Sequence, residues 1–509
     1  MSENRVGSVP VTAAASTQSP DIVKLAARGT IYITIAKAYF MVTGLATYLI
    51  LPRVISVAEF GLYSITAGVA SIINAVVMTG TLQAVSKFVS QDTTQAEAVK
   101  RKALQLQLLV GGGIAGGFFL LAPVIARHLN DPGLTPYFRL TAFISFTYSV
   151  YAVFLGTING RREFFKQALL DISYSTFKMI FVVGLALAGY AVMGALSGWL
   201  LASLCVLFLS VMVVGWREKV GDVGVRDLLS FQSMALIFIL ILNLLQKIDL
   251  LLVKALSSPD PKVASHMAGY YNAVMTIANI TFQSIIALTF VVFPLISEST
   301  FKADREATKR YISQTLRFSL MIMVMLATLF SSNAAGLLGL IYKQEYLAGT
   351  SALMIAPFGM LLFGLLYIAT TIISSSGRPH VSVFIGVFTL LADASFNSLL
   401  IPRYKLLGAA VATTAAMFWG VGIGLVYILR QFSASLPLRS AVRIVLAGLM
   451  VFFISRPLSA TGLVVLLKLA FQAIAYGGIL LLLREIGADD IRVVRRMFVT
   501  RQRMKSSNG

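Results

Sequence analysis

Apolar runs of membrane-spanning length alternate with short polar joints along almost the whole 509-residue chain. Each run reaches the roughly 20 residues that a helix needs to cross about 30 Å of hydrocarbon. The pattern predicts fourteen spans, near 30–51, 60–84, 103–126, 138–158, 167–190, 191–215, 228–256, 269–297, 311–332, 350–375, 380–401, 408–429, 437–455 and 460–483. Pro, Gly and charged residues mark the joints, as at Pro52-Arg53, Asp131-Pro132-Gly133, Gly160-Arg161-Arg162, Pro259-Asp260-Pro261 and Gly377-Arg378-Pro379. The tightest joint is Gly189-Tyr190.

A longer period overlies the spans. Gly61-Leu62-Tyr63 returns as Gly269-Tyr270-Tyr271, Gly160-Arg161 as Gly377-Arg378, and Tyr190-x-x-x-Gly194-Ala195 as Tyr404-x-x-x-Gly408-Ala409, at offsets of 208, 217 and 214. Marks in one order at nearly one offset describe a duplicated unit of about 210 residues. Each unit holds an even number of spans, so both units start from the same side of the membrane and are parallel repeats about an axis along the membrane normal. The expected fold is all-α and polytopic: two pseudo-symmetric six-helix lobes, spans 1–6 (30–216) and spans 7–12 (217–430), followed by spans 13 and 14 (431–485). In an apolar chain, that layout belongs to a two-lobed transporter with its site at the seam. The first 29 residues, polar and rich in Ala, Ser and Thr without an apolar core, read as a disordered cytoplasmic tail rather than a signal peptide. Residues 486–509 read as a basic cytoplasmic tail.

Composition agrees with the pattern: 57% of residues are hydrophobic, only 12% are charged, and the mean hydropathy is +0.83. A soluble domain carries about twice that share of charge. The net charge of +21 looks at first like a nucleic-acid binder. Its distribution says otherwise. Of 42 basic residues, 28 fall on the N-terminal segment, the even-numbered connections and the C-terminal tail, against nine on the odd connections. The positive-inside rule then places both termini in the cytoplasm, with the cations facing anionic lipid headgroups. The stretch Arg492 to Lys505 reads as a membrane-surface anchor, and nucleic acid is not an expected partner.

Charges inside the spans carry the candidate chemistry, because each costs about 2.5–3.5 kcal/mol at the bilayer centre on insertion scales and needs a partner or a wet cavity. They are Lys37, Asp171, Lys178, Lys247, Asp249, Arg317, Asp393 and Lys468. Lys37 on span 1 and Lys247 on span 7 lie 24 and 22 residues before the repeat glycines, which would set two cations facing each other across a central cavity. Asp171, Ser175 and Lys178 form a stripe on span 5, and Thr389, Asp393 and Asn397 form one on span 11. Asn272, Thr276, Asn279 and Gln283 form another on span 8. Such stripes line a hydrophilic vestibule, or they bond neighbouring helices together. The residues alone leave both roles open, as they do for a structural pairing of Lys247 and Asp249. Arg317 and Lys468 read as snorkelling or packing residues. Gly112-x-x-x-Gly116 and Gly113-x-x-x-Gly117 on span 3 read as close helix packing.

Other chemistry has no motif. His128, His266 and His380 lack metal-ligand spacing, the single Cys205 forms no intramolecular disulfide, and neither a phosphate-binding loop nor a nucleophile elbow is present. The chain is not expected to be an enzyme or to be driven by its own bound ATP.

The run Leu51-Pro52-Arg53-Val54-Ile55-Ser56-Val57-Ala58-Glu59-Phe60-Gly61-Leu62-Tyr63 resembles the signature after span 1 in bacterial polysaccharide (O-antigen, Wzx-type) flippases of the multidrug/oligosaccharidyl-lipid/polysaccharide exporter superfamily. Ile55-Ser56 departs from the usual Leu-Gly of that signature. Ala268-Gly269-Tyr270-Tyr271-Asn272-Ala273 is similar to the start of span 8 in that family, Phe293-Pro294-Leu295-Ile296-Ser297 to its exit, and Ser376-Gly377-Arg378 to the turn after span 10. The likeness runs through nearly all of residues 25–485.

The resemblance implies a V-shaped two-lobe fold in the bacterial inner membrane that moves polyprenyl-diphosphate-linked oligosaccharide between leaflets by alternating access. It also implies that spans 13 and 14 help form a groove for the polyprenyl tail, and that polysaccharide polymerase or export machinery is a partner. On this view Lys37, Lys178 and Lys247 are cavity cations for the diphosphate. Asp171, Asp249 and Asp393 balance them, one binding a coupling H⁺ or Na⁺, with no other cofactor. Asn272, Thr276, Asn279, Gln283 and Asn397 line the cavity. The alternatives on the same fold are a cation-coupled small-molecule exporter and a lipid II flippase. A membrane glycan polymerase or ligase normally has a sizeable outer loop with catalytic groups, and Arg127 to Arg139 is among the largest outer connections here.

Overall fold

This computed structural model describes residues 20–216, 218, 221, 224, 237, 239–286, 296–302, 304–434, 436–455 and 460–487. The two tails up to residue 19 and from residue 488, the cations Arg217, Lys219 and Arg226, the first part of span 7 and Phe293-Pro294-Leu295 lie outside the described residues.

Among the described residues, all regular structure is helical. Ten helical segments among the described residues are long and apolar enough to cross a membrane. Two of them, Phe164–Val214 and Pro379–Phe432, run to 51 and 54 residues, too long for one crossing. Each turns back on itself, at Ala191 (φ 45°, ψ −129°) and at Lys405 (φ 50°, ψ −123°). They hold spans 5–6 and 11–12. Helical residues 239–245 with Ile248–Leu256, and Pro261–Gln283, supply spans 7 and 8. The architecture is therefore an all-α membrane bundle of about 14 helices, in two six-helix lobes with two further helices.

Local chemistry explains where the helices start. Ser56 caps span 2, Val57–Gln91, with a reciprocal bond: the Ser56 N–H donates to Glu59 Oε2 at 2.8 Å and the Glu59 N–H to Ser56 Oγ. Asp260 caps span 8, taking the Lys262 N–H at 2.8 Å, with Pro261 in the first turn where no backbone donor is needed.

Within the first lobe, span 4 (Thr135–Gly160) packs against spans 2, 3 and 6, while span 1 (Pro20–Val54) lies along span 5. In the second lobe, span 10 (Thr350–Ser375) takes the place of span 4, against spans 8 and 9 and the span 11–12 hairpin, and span 7 lies along that hairpin. The duplication thus extends to which helix packs on which. The joints repeat too. A Cβ on Gly194 would lie 2.7 Å from the Leu185 carbonyl oxygen, and one on Gly408 would lie 2.4 Å from that of Leu400. These contacts fold each pair of spans into a tight hairpin.

Spans 2 and 8 cross at the seam between the lobes. A Cβ on Gly61 would fall 1.9 Å from the Ser265 carbonyl oxygen, and one on Gly269 would fall 2.3 Å from that of Val57. Only residues without a side chain permit this approach. The contact lies at the face that carries the odd-numbered connections.

Spans 13 (Leu438–Ser455) and 14 (Val464–Leu482) pack on span 9, Arg305–Ser332. Arg317, read as a snorkelling or packing residue, packs here. It donates to the buried Glu485 carboxylate at 2.7 Å and to the Glu485 carbonyl, while Ser440 Oγ of span 13 donates to the same carboxylate at 2.6 Å. At the opposite end, Asn333 Nδ2 donates to Gln472 Oε1 of span 14 at 2.6 Å. The span 3 glycine motif is a correction. A Cβ on Gly113, Gly116 or Gly117 would meet nothing within 4 Å; the packed glycine is Gly111, against Ser149. The buried face of span 3 follows Gly111, Ala115, Phe118 and Ala122, which leaves those motif glycines off it.

Candidate transport site

Span 5 brings the first-lobe charges together. Asp171 and Lys178 are two turns apart and do not pair. Asp171 instead binds Lys37 of span 1, Oδ2 to Nζ at 2.9 Å. The Lys37 side chain stays 58% exposed while Asp171 is buried, so the pair sits at the edge of the lobe. One turn along, Tyr39 and Thr176 share a hydrogen bond at 2.9 Å, which holds spans 1 and 5 in register.

Lys178 has a different partner. Its ammonium lies 4.0 Å from the centre of the Trp199 ring on span 6, a close cation–π contact. Trp199 is fixed in turn by its Nε1–H, which donates to Tyr174 Oη at 2.8 Å. Tyr174 packs edge-on to Tyr148, and the exposed Phe40 stacks on it. The first lobe therefore presents a cation on an aromatic wall, beside an internally neutralised Lys37–Asp171 pair.

The second lobe has the opposite character. Asp393 and Asn397, expected along an open vestibule, are both fully buried between spans 11 and 12. Asn397 Nδ2 donates to Asp393 Oδ1 at 2.8 Å and to Thr413 Oγ1 at 3.3 Å. Their hairpin is pressed too close for open space: a Cβ on Gly420 would come within 2.2 Å of Thr389 Oγ1. Asp393 Oδ2 has no hydrogen-bond partner. Asp249, also buried, receives the Leu250 N–H at 2.7 Å and the Tyr271 hydroxyl at 2.8 Å, and interacts electrostatically with Asp393. Two carboxylates from spans 7 and 11 thus belong to one buried polar cluster with Tyr271, Asn397 and Thr413.

Lys247 stands at a break in span 7, where φ is −130°, and its aliphatic stem reaches Gly68 of span 2 across the seam. It acts on Asp249 through space without joining its hydrogen bonds. On span 8, Asn272 is buried with its amide nitrogen unbonded, while Thr276, Asn279 and Gln283 are half-buried.

Trp199, Tyr174 and Thr413 were not singled out from sequence, and Tyr271 only as a mark of the repeat and of the family-like start of span 8, although the duplication carries the signal. Lys178 maps onto Asp393 at an offset of 215, the same as Leu185 onto Leu400, and Trp199 maps onto Thr413 at 214. The two lobes hold a cation and a carboxylate at matching places.

Residues 50–350 match a family model described as polysaccharide biosynthesis protein. The chain belongs to that family. As a polysaccharide biosynthesis protein it is 37% identical over 83 residues to the capsular polysaccharide biosynthesis protein CapF of Staphylococcus aureus, covering 16% of this chain and 21% of CapF. It is 28% identical over 152 residues to the membrane protein MJ1068 of Methanocaldococcus jannaschii, covering 30% of each. With YabM of Bacillus subtilis it shares 23% identity over 349 residues, 62% of each chain. The matched part is therefore less than two thirds of each of these relatives.

Among solved structures, the lipid II flippase MurJ in an inward closed conformation superposes with a TM-score of 0.71 at 12% identity, over 88% of this chain and 98% of that one. An inward-facing multidrug resistance MATE transporter of the MOP superfamily gives 0.66 at 14% identity, over 80% and 98%. An outward-facing MATE structure gives 0.59 at 14% identity, over 81% and 96%. This polysaccharide biosynthesis protein has the fold of membrane transporters.

Proposed function

We propose that the protein carries a polyprenyl-diphosphate-linked oligosaccharide from the cytoplasmic to the outer leaflet of a bacterial inner membrane by alternating access. Both termini lie in the cytoplasm, and the product passes to polysaccharide polymerase or export machinery. The observation that carries the reading is the pairing of opposite charges at matching positions: Lys178 on Trp199 in the first lobe, Asp393 beside Thr413 in the second. A diphosphate needs a cation in a low-dielectric wall, where attraction exceeds that in water. Lys178 supplies it, with Lys247 adding charge at the seam, while Lys37 at the edge is neutralised by Asp171. Exposed Phe40 and the aromatic wall behind it suit sugar rings.

Asp249 and Asp393 are the groups for a coupling H⁺ or Na⁺. Binding one cation between two buried carboxylates changes the charge of the second lobe by one unit and so biases one conformation over the other. Asp171, already paired with Lys37, balances charge instead. A lipid II cargo is the second reading, favoured by the overlap with MurJ over 88% of this chain.

Deleting the gene and assigning leaflets to polyprenyl-linked oligosaccharide tests the proposal. Accumulation on the cytoplasmic side is expected, relieved by the wild-type chain and not by Lys178→Gln. Asp393→Asn is expected to keep binding but lose dependence on the ion gradient. Normal leaflet distribution in the deletion strain overturns the reading.

A further inference from the structure

Lys254, near the end of span 7, is a fully buried lysine with no part in the transport site. Its side chain is fully buried, yet it reaches across to the first lobe. Nζ donates to Asp131 Oδ2 of the span 3–4 connection at 2.7 Å, to Ser265 Oγ at 2.7 Å and to the Pro261 carbonyl at 2.9 Å. All three positions of the ammonium are filled. Asp131 is held by its own loop, Oδ1 receiving the Gly133 N–H at 3.0 Å. The pair adjoins the helix crossing, since Ser265 is the residue whose carbonyl Gly61 touches.

Other links between the lobes lie at the same face. Arg53 at the end of span 1 donates from Nε to the Ile341 carbonyl at 2.9 Å, and from a terminal nitrogen to that of Leu340 at 3.1 Å. It caps the last turn of the short helix Ala334–Ile341, where a cation is favoured. The buried rings of Phe60 and Tyr346 meet edge-on, with centres 6.3 Å apart.

We infer that Lys254 and Asp131 form a latch that holds the odd-connection face closed, seconded by Arg53. The inference rests on the alternating-access reading above. Parting the lobes at this face separates a buried ion pair and returns both groups to water, so the pair sets the balance between closed and open states. Lys254 and Asp131 are positioning residues; neither touches the cargo site.

The test uses the full chain in liposomes with Cys205→Ser, and spin labels at Arg127→Cys and Lys262→Cys, which are exposed on the two sides of this face. Inter-label distances are compared for the parent, Lys254→Met and Asp131→Asn, with Lys302→Gln as a control in an exposed pair elsewhere. The latch predicts that either substitution raises the open-to-closed ratio by about tenfold or more, because loss of one partner strands a buried charge, while the control changes nothing. Asp131→Asn keeps the loop's size and decides the matter if Lys254→Met does not fold. Unchanged distances in the folded latch variants overturn the inference. No substrate is present, so that result leaves the transport reading standing, and a failure of glycan transport leaves the distance result readable.

Discussion

Gly61 and Gly269, each other's counterpart in the duplication, touch across the seam: the carbonyl of Val57 faces Gly269, and that of Ser265 faces Gly61. The contact is nearly self-symmetric, as it must be where a two-fold axis passes between equivalent helices. It makes the glycines structural determinants of how the lobes meet, not merely marks of a repeat. Gly61→Ala should cost about 1–3 kcal/mol through overpacking against rigid backbone. Thermal unfolding in detergent measures this, and an unchanged midpoint would show that the helices can part at no cost.

Lys37 and Asp171 are expected to be coupled. Lys37→Gln alone leaves a buried carboxylate facing a neutral amide, at a cost of about 1–2 kcal/mol once the exposure of the lysine is allowed for. Lys37→Gln with Asp171→Asn should recover most of that loss. A double-mutant cycle on unfolding midpoints reads the coupling directly, and strictly additive effects would mean that the pair contributes nothing.

Ala191 and Lys405 follow Tyr190 and Tyr404 in the two hairpin joints and share a positive-φ conformation that side chains disfavour. Replacing either by glycine relieves strain of about 1 kcal/mol. Ala191→Gly at the first joint and Lys405→Gly at the second should each be more stable than the parent. Lower unfolding temperatures for the glycine variants would contradict this.

Glu485 ties spans 13 and 14 to span 9. Glu485→Gln should loosen them, at a cost of about 2 kcal/mol for a partly exposed arginine left without its carboxylate. Faster trypsin cleavage at Arg439 and Arg443 than in the parent is the expected sign. An identical digestion course would mean that packing alone holds the two helices.

Much of the fold was legible because its signals are long. A membrane span announces itself over some 20 residues, and a duplication over about 210. The number of spans, the two lobes and the equivalence of Gly61 with Gly269 all rest on such averages. Partners of single charges are not averaged. The stripe on span 5 placed Asp171 and Lys178 on one face, but which neighbour each met depended on the rotation of spans 1 and 6, so Lys37 and Trp199 became their partners. The residues left Asp393 and Asn397 two roles, lining a cavity or bonding helices, and the family resemblance favoured the cavity. The close approach at Gly420 buried them instead, and only the packing of the hairpin reveals that. The glycines of span 3 failed for a related reason: spacing gives a helical face without saying whether a neighbour occupies it.

A freshly doubled gene starts with identical halves, and a protein made from it would work equally well with its halves exchanged. Lysine at 178 and aspartate at 393 end that interchangeability. Two copies of the first half joined in one chain would hold two ammoniums on aromatic walls and no buried carboxylate pair, and two copies of the second would bury four carboxylates. Each half now depends on the other's difference, so the pair survives only as an unequal couple.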